Sequence, residues 1–111
     1  MPTFIAQGRY APDAIRGMVA KPEDRSEAVA ALAKSGGGKL ISHYLTFGEY
    51  DFLVILEMPD GKAAAAVALA AAAGGSITGM RTFEALTAAE AKQAFKAAGD
   101  LVGKFRSAGK G

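Results

Sequence analysis

The sequence predicts a single α+β domain whose elements follow the order β-α-β-β-α-β, with one more helix at the C-terminus. Three observations lead to this prediction. Apolar residues recur at every third or fourth position in two long segments, short runs rich in branched and aromatic residues separate these segments, and glycine or proline stands at most of the junctions. A chain of 111 residues is long enough for one hydrophobic core and too short for two domains.

The first strand is expected at residues 3–9, and helical spacing follows from residue 11 to residue 35. Pro22 divides the helical segment, because proline fits the first turn of a helix but not its interior. The two carboxylates directly after Pro22 complement a helix dipole, so we expect two short helices with a joint near Lys21. The glycines at residues 36–38 end the second of them.

The second strand is predicted at residues 39–47 and the third at residues 50–57, which leaves only Gly48 and Glu49 between them. A two-residue loop that begins with glycine is typical of a type II′ hairpin. The residue pairs expected across this hairpin are Phe47 with Tyr50, Thr46 with Asp51, Tyr44 with Leu53, and His43 with Val54.

The second half of the chain contains one helix, one strand and a further helix. Asp60 is expected to cap the alanine-rich helix that follows the third strand. Residues 76–86 form the fourth strand, and Thr87 to Glu90 match a capping box that opens the last helix. The apolar stripe of that helix consists of Phe95, Ala98, Val102 and Phe105. The complete order is the ferredoxin-like one, a four-stranded antiparallel sheet with its helices on one face.

Composition excludes several classes of site and partner. The formal net charge of +2 is too small to predict nucleic-acid binding. The chain has no cysteine, which excludes disulfides and thiolate metal sites and suits a cytoplasmic protein. The N-terminus lacks the pattern of a signal peptide, and the alanine-rich run at residues 63–75 is shorter than the about 20 apolar residues of a membrane span. A single histidine with scattered carboxylates predicts no metal site.

The segment YLTFGEYDFLVILEMPD at residues 44–60 resembles the signature of the GYD domain family, which is named for a Gly-x-Tyr-Asp core. In this chain the core consists of Gly48, Tyr50 and Asp51. The similarity extends over roughly residues 3–90. The resemblance implies a small bacterial protein with a ferredoxin-like fold of the dimeric α+β barrel type, in a family without a settled biochemical activity.

The resemblance also suggests how the chain is divided. We expect a GYD-like ferredoxin-like domain at residues 1–90, followed at residues 91–111 by a C-terminal helix and a loose tail. The basic residues of this last segment either form a solvated face or attract an acidic partner. They are Lys92, Lys96, Lys104 and Lys110.

His43 is the only histidine, and therefore the first candidate for acid/base chemistry or for ligation of a haem iron. The predicted register places it on the helix side of the sheet, where related barrels hold their ligands. Arg16, on the first helix, is the second catalytic candidate. Tyr50, which the predicted register places under the helices, and Arg81 are candidates to bind a ligand together with these two residues. The alternatives are a packed histidine and tyrosine, and solvated arginines.

Asp51 and Glu57 do not form a catalytic pair. Six strand residues separate them by about 20 Å, whereas paired glycosidase carboxylates lie within about 10 Å of each other. We expect Asp51 to accept hydrogen bonds from the hairpin turn or from Thr46 instead.

The second face of the sheet has no predicted cover, because both crossover helices lie on the first face. Its apolar side chains are expected to be Leu40, Tyr44, Leu53 and Ile55. An exposed apolar patch of about several hundred Å² is larger than a monomer usually tolerates. We therefore expect a two-fold homodimer that pairs these faces, with Asp51 and Glu57 at the rim.

Three functions stay open, of which the last is a scaffold for assembly alone. The first is a small oligomeric cytoplasmic protein that binds a small molecule or a partner protein without turning over a substrate. The second is an enzyme, a haem-using or cofactor-independent oxidoreductase or isomerase, which rests on fold analogy and on His43. The sequence itself requires no cofactor, and we expect neither nucleic acid nor a membrane among the partners.

Overall fold

A computed structural model describes residues 1–109 and confirms the α+β fold. The strands are β1 (Thr3–Tyr10), β2 (Lys39–Leu45), β3 (Phe52–Glu57) and β4 (Ile77–Ala85). The helices are α1 (Pro12–Ala20), α2 (Ser26–Ser35), α3 (Gly61–Ala73) and α4 (Ala88–Leu101), and a 3₁₀ turn follows at Val102–Lys104. The strands form one antiparallel sheet in the order β2-β3-β1-β4, which is the ferredoxin-like arrangement. The end of the predicted tail, including Lys110, lies outside the described residues.

The hydrophobic core lies between one face of the sheet and the helices α2 and α3. Strand β3 alternates strictly: Phe52, Val54 and Leu56 are buried, whereas the residues between them are only half-buried. Ala33 of α2 and Ala64 of α3 cover these side chains. We call this side of the sheet the helix face and the other side the open face.

Two predicted helix starts are confirmed by their caps. The Asp60 carboxylate accepts a hydrogen bond from the Ala63 amide at 2.8 Å, which fixes the first turn of α3. Thr87 and Glu90 form the complete capping box of α4, with each side chain accepting from the other residue's backbone amide. Among residues 1–109, no helix is both long and apolar enough to cross a bilayer.

The helical region near the N-terminus divides as predicted, but for a different reason. The second helix begins at Ser26, so Pro22 lies in the joint and not in a first helical turn. Pro12 is the proline that opens a helix, at the start of α1. The Asp24 carboxylate accepts hydrogen bonds from the Ser26 amide at 2.9 Å and from its hydroxyl at 2.6 Å, and this bonding starts α2.

The hairpin keeps the predicted register but not the predicted turn. His43 pairs with Val54, and the Thr46 amide donates to the Asp51 carbonyl at 2.8 Å. The residues between, 47–50, form a wider loop instead of a two-residue turn. Gly48 has a φ of +141°, far from the about +60° of a type II′ turn. Loops of two and four residues have the same parity, and therefore the faces of the strands are unchanged.

Two β-bulges displace the ends of the edge strands. The register between β2 and β3 shifts at Ile41, which places Leu40 opposite Leu56 and against the core. The prediction that Leu40 lies on the open face is therefore wrong, because strand alternation does not continue through a bulge. The second shift is in β4 opposite Gly8, where Gly79 takes a φ of +59°.

Helix α4 projects from the body of the domain. None of its residues is buried, and Phe95 and Phe105, two members of the predicted stripe, are 78% and 76% exposed. The described chain is 61 Å long with a radius of gyration of 17.9 Å, compared with about 13 Å for a compact domain of this size. The apolar stripe is therefore present in the structure, and no residue of the described chain covers it.

Candidate functional site

A cleft of about 660 Å³ opens between α1, the joint before α2, strand β2 and the hairpin loop. It exists because α1 stands away from the sheet: no α1 residue is buried, and Ile15 and Val19 are 43% and 76% exposed. These two side chains form one wall of the cleft, and His43 of β2 lies in the opposite wall. A cavity of this volume is of the size that holds small molecules.

His43 lies on the helix face, as the register predicts. Its Nδ1 atom is buried and has no hydrogen-bond partner within residues 1–109. Burial lowers the pKa of His43, and nearby Arg25 lowers it further, while Asp24 acts in the opposite direction. The imidazole is therefore neutral at pH 7, and one nitrogen acts as a hydrogen-bond acceptor.

Charged side chains surround the mouth of the cleft. Glu23, Asp24 and Asp51 contribute three carboxylates, and Arg25 contributes the one cation among the residues that line the cleft. Arg25 lies 3.3 Å from Glu23 in an ion pair. With His43 neutral, the charges of these lining residues sum to about −2 at pH 7.

Asp51 has a different set of hydrogen bonds from the predicted one. Its carboxylate accepts from the Tyr10 amide at 2.9 Å, which ties the hairpin to the end of β1. The Thr46 hydroxyl donates to the Tyr50 carbonyl at 2.7 Å and does not contact the Asp51 carboxylate. Asp51 also lines the cleft, so its side chain belongs to the helix side and not to the rim of the open face.

A narrow apolar pocket of about 70 Å³ continues from the cleft into the space between the sheet and the helices. The cleft and the pocket share Tyr10, Arg25 and His43. The apolar lining of the pocket includes Val29, Leu32, Val67, Ala71, Ile77 and Met80. Burial raises the pKa of Tyr10, whose phenol therefore stays neutral. Thr82 also lines the pocket, and its hydroxyl is buried without a partner in the described part of the chain.

The structure does not bring the four predicted ligand-binding residues together. Arg16 forms an exposed ion pair with Asp13 on α1 and does not line the cleft. Arg81 pairs with Gln7 on the open face, and its guanidinium carbon lies 5.9 Å from the centre of the Tyr50 ring. Of the predicted set, only His43 lies in the cleft.

Sequence analysis missed Arg25 and Tyr10. Both come from positions where strand or helix periodicity stops: Tyr10 is the last residue of β1, and Arg25 directly precedes α2. The signal that was present is the charged run EDR after Pro22, which we assigned to a helix dipole. In the structure this run forms the edge of the cleft.

The open face is apolar at its centre and basic at one end. Tyr44 is 57% exposed and Phe83 is 38% exposed, and Ile5, Leu53 and Ile55 are half-buried between them. At the end of the face, the guanidinium carbon of Arg9 lies 5.2 Å from the centre of the Tyr50 ring. Tyr50 is thus on the same side as Tyr44, contrary to the prediction that places it under the helices.

The chemistry of the cleft does not fit haem. His43 offers an imidazole, but the haem propionates would meet the carboxylates of Glu23, Asp24 and Asp51 at the mouth. The single lining cation, Arg25, is already paired with Glu23. Within residues 1–109, no three carboxylate or imidazole groups cluster closely enough to hold a metal ion.

The family model of the GYD domain matches residues 4–95, which is most of the chain. The chain belongs to the GYD domain family. A relative in this family, from Thermus thermophilus, is 32% identical over 90 residues, which cover 81% of this chain and 94% of the relative. The relative is named glutamine synthetase and cystathionine beta-lyase binding protein.

One solved structure shows the same fold at low sequence identity. The crystal structure of TTHA0845, also from Thermus thermophilus, is 16% identical, with a TM-score of 0.51, over 79% of this GYD domain chain and 96% of that one. A second solved structure, of an FFRP protein, is 19% identical, with a TM-score of 0.49, over 78% of this chain and all of that one. At such identity the similarity to TTHA0845 supports the architecture alone.

Proposed function

We propose that this protein is a cytoplasmic accessory protein that acts as a homodimer and binds partner proteins, and that it does not turn over a substrate. The observation that carries the proposal is the open face. It presents Tyr44, Leu53, Ile55 and Phe83, and no described helix packs on it. A sheet with one apolar face uncovered needs a second layer, and a second copy of the same chain supplies it with two-fold symmetry.

In the proposed dimer, Leu53 and Ile55 lie near the two-fold axis, because β3 is one of the two central strands of the sheet. Glu57, at the end of the same strand, stays at the rim, where a carboxylate keeps its water. Asp51 is excluded from this interface because it lines the cleft.

The partner-binding half of the proposal rests on the named relative and on α4. The relative's name reports binding of glutamine synthetase and cystathionine beta-lyase, and we extend protein binding to this chain. Helix α4 presents an exposed apolar stripe that includes Phe95, together with Lys92 and Lys96. An amphipathic helix of this kind fits an apolar groove with an acidic rim. The division into residues 1–90 for assembly and 91–111 for partner contact belongs to the same proposal.

Sedimentation equilibrium at micromolar concentration tests the dimer. The wild type is expected at twice the monomer mass, and the double variant L53D/I55D at the monomer mass or unfolded, because four like charges would face an apolar interface. The matched control is Leu69→Asp, which changes a 70% exposed leucine on α3 away from the open face. A wild type that is folded, soluble and monomeric would overturn the dimer.

Partner binding is tested with purified glutamine synthetase and cystathionine β-lyase from the host organism, by biolayer interferometry. Phe95→Ser should weaken the binding at least tenfold and leave the mass of the assembly unchanged. Leu69→Ser is the control for a loss of exposed apolar surface elsewhere. Equal binding of wild type and Phe95→Ser would show that α4 does not form the contact. In a separate activity assay, steady turnover of a metabolite by the wild type that is lost in His43→Ala would favour the alternative function as an enzyme.

A further inference from the structure

The cleft contains polar groups that the proposed protein-binding function does not use. The buried Nδ1 of His43 and the buried hydroxyl of Thr82 both lack a partner within residues 1–109, although buried polar atoms normally have one. His43 lies where the open cleft meets the apolar pocket, and Thr82 lies inside that pocket. Both residues line one continuous cavity, which is charged at its mouth and apolar inside.

The electrostatics of the mouth identify the charge of a molecule that fits this cavity. Three carboxylates and one guanidinium line the cleft, and the guanidinium of Arg25 is engaged with Glu23. Among the bonds within the described residues, Asp24 uses only its Oδ1 and Asp51 only its Oδ2. A second oxygen of each carboxylate is therefore available to a hydrogen-bond donor. An anion entering here would meet a net negative charge, whereas a cation would be attracted.

The interior of the cavity identifies the other end of the molecule. Beyond His43 the lining becomes almost wholly aliphatic, with Val29, Val67 and Met80 facing the same narrow space. This space takes an alkyl or aryl tail and not a second charged group, because an unpaired buried charge is costly. A tail that fills the pocket passes His43 on its way in.

We propose that the cleft binds a primary amine with an apolar tail, whose ammonium group lies among the carboxylates of Glu23, Asp24 and Asp51, on the side of the cleft that His43 lines. The neutral state of His43 suits this ligand, since an imidazolium would repel the ammonium group. The Tyr10 ring lies between the two compartments and contacts the first carbons of the tail. The site lies on the helix side, so it is independent of the proposed dimer contact on the open face.

Isothermal titration calorimetry with three probes of equal chain length tests the charge. Hexylammonium should bind at least about tenfold more tightly than hexanol, because a hydrogen bond between an ammonium group and a carboxylate is stronger than one from a neutral hydroxyl. Hexanoate should show no binding. Hexanoate that binds as tightly as hexylammonium, or no heat with any probe at millimolar concentration, would overturn the proposal.

Two variants locate the probe, each with a matched control. Asp24→Asn keeps a side chain that caps α2 but removes one charge, and it should weaken hexylammonium several-fold while leaving hexanol unchanged. Its control, Asp13→Asn, lies on α1 and does not line the cleft. Ala71→Leu fills the apolar pocket and should abolish binding, whereas Ala70→Leu, on the exposed side of α3, should not. Binding that survives both Asp24→Asn and Ala71→Leu unchanged would place the amine elsewhere.

Discussion

Replacing Gly48 in the hairpin loop is expected to destabilise the protein through backbone strain, without any steric clash. Its φ of +141° lies in the half of the backbone map that L-residues rarely adopt. A Cβ built on Gly48 meets no atom within 4 Å, and therefore any cost of Gly48→Ala comes from the backbone alone. We expect a loss of about 1–3 kcal/mol in the free energy of unfolding.

Gly17 provides the matched control. A Cβ at Gly17 also meets nothing within 4 Å, but Gly17 lies inside α1 with an ordinary helical backbone. Gly17→Ala should therefore raise the free energy of unfolding, by about 0.5–1 kcal/mol. The same added methyl group thus has opposite effects at two equally open positions.

Urea unfolding followed by circular dichroism measures both variants. All three proteins are compared at one concentration, because the midpoint of the proposed dimer would depend on concentration. In thermal unfolding of the same proteins, the midpoint temperature of Gly48→Ala should fall by roughly 4–8 °C for each kcal/mol lost. A Gly48→Ala midpoint equal to or above that of the wild type would show that the loop does not need its left-handed backbone.

Three further outcomes follow from the described contacts. Gly38→Ala should lower the free energy of unfolding by about 1–3 kcal/mol or more in urea unfolding, because its Cβ would clash with the Glu57 carbonyl oxygen. Asp60→Ala should lower the free energy of unfolding by about 1 kcal/mol in the same measurement. Asp60→Asn should keep most of the wild-type stability, because asparagine also caps helices well. The pKa of folded His43 lies below 6.5, the ordinary value of histidine. As the pH drops from 6.5 towards this lower pKa, the free energy of unfolding should fall, because His43 binds a proton in the unfolded chain before it does so in the folded one. His43→Gln should flatten the slope in this window; an unchanged slope would assign it to other groups.

Much of the fold could be predicted because its signals are local. The Asp60 cap of α3, the capping box of α4 and the alternating burial of β3 depend on residues within a few positions of each other. The hairpin register was predicted although the turn was not, since only the parity of the loop decides which face His43 occupies. The start of α2 was misplaced because Pro22 and Pro12 carry the same local signal, and only the bonding of Asp24 distinguishes them.

The candidate site was harder to predict because its residues meet through tertiary geometry. Arg81 reaches the open face through the bulge at Gly79, which no periodic pattern in the sequence reveals. The cleft itself forms because α1 does not pack closely on the sheet. No sequence motif signals such a gap. Sequence analysis could identify His43 as unusual but could not identify the carboxylates that surround it.

The two β-bulges restrict how the sheet can grow. Both lie in edge strands, β2 and β4, while the regular strands β1 and β3 are at the centre. An unpaired edge invites further strands to add side by side, and a bulge interrupts the row of amides and carbonyls that such addition requires. Lateral association into extended ribbons is thereby discouraged at both ends of the sheet. A protein with one apolar sheet face uncovered benefits from this protection, because sheet edges that resist pairing leave that face as the surface for self-association, as the proposed dimer requires.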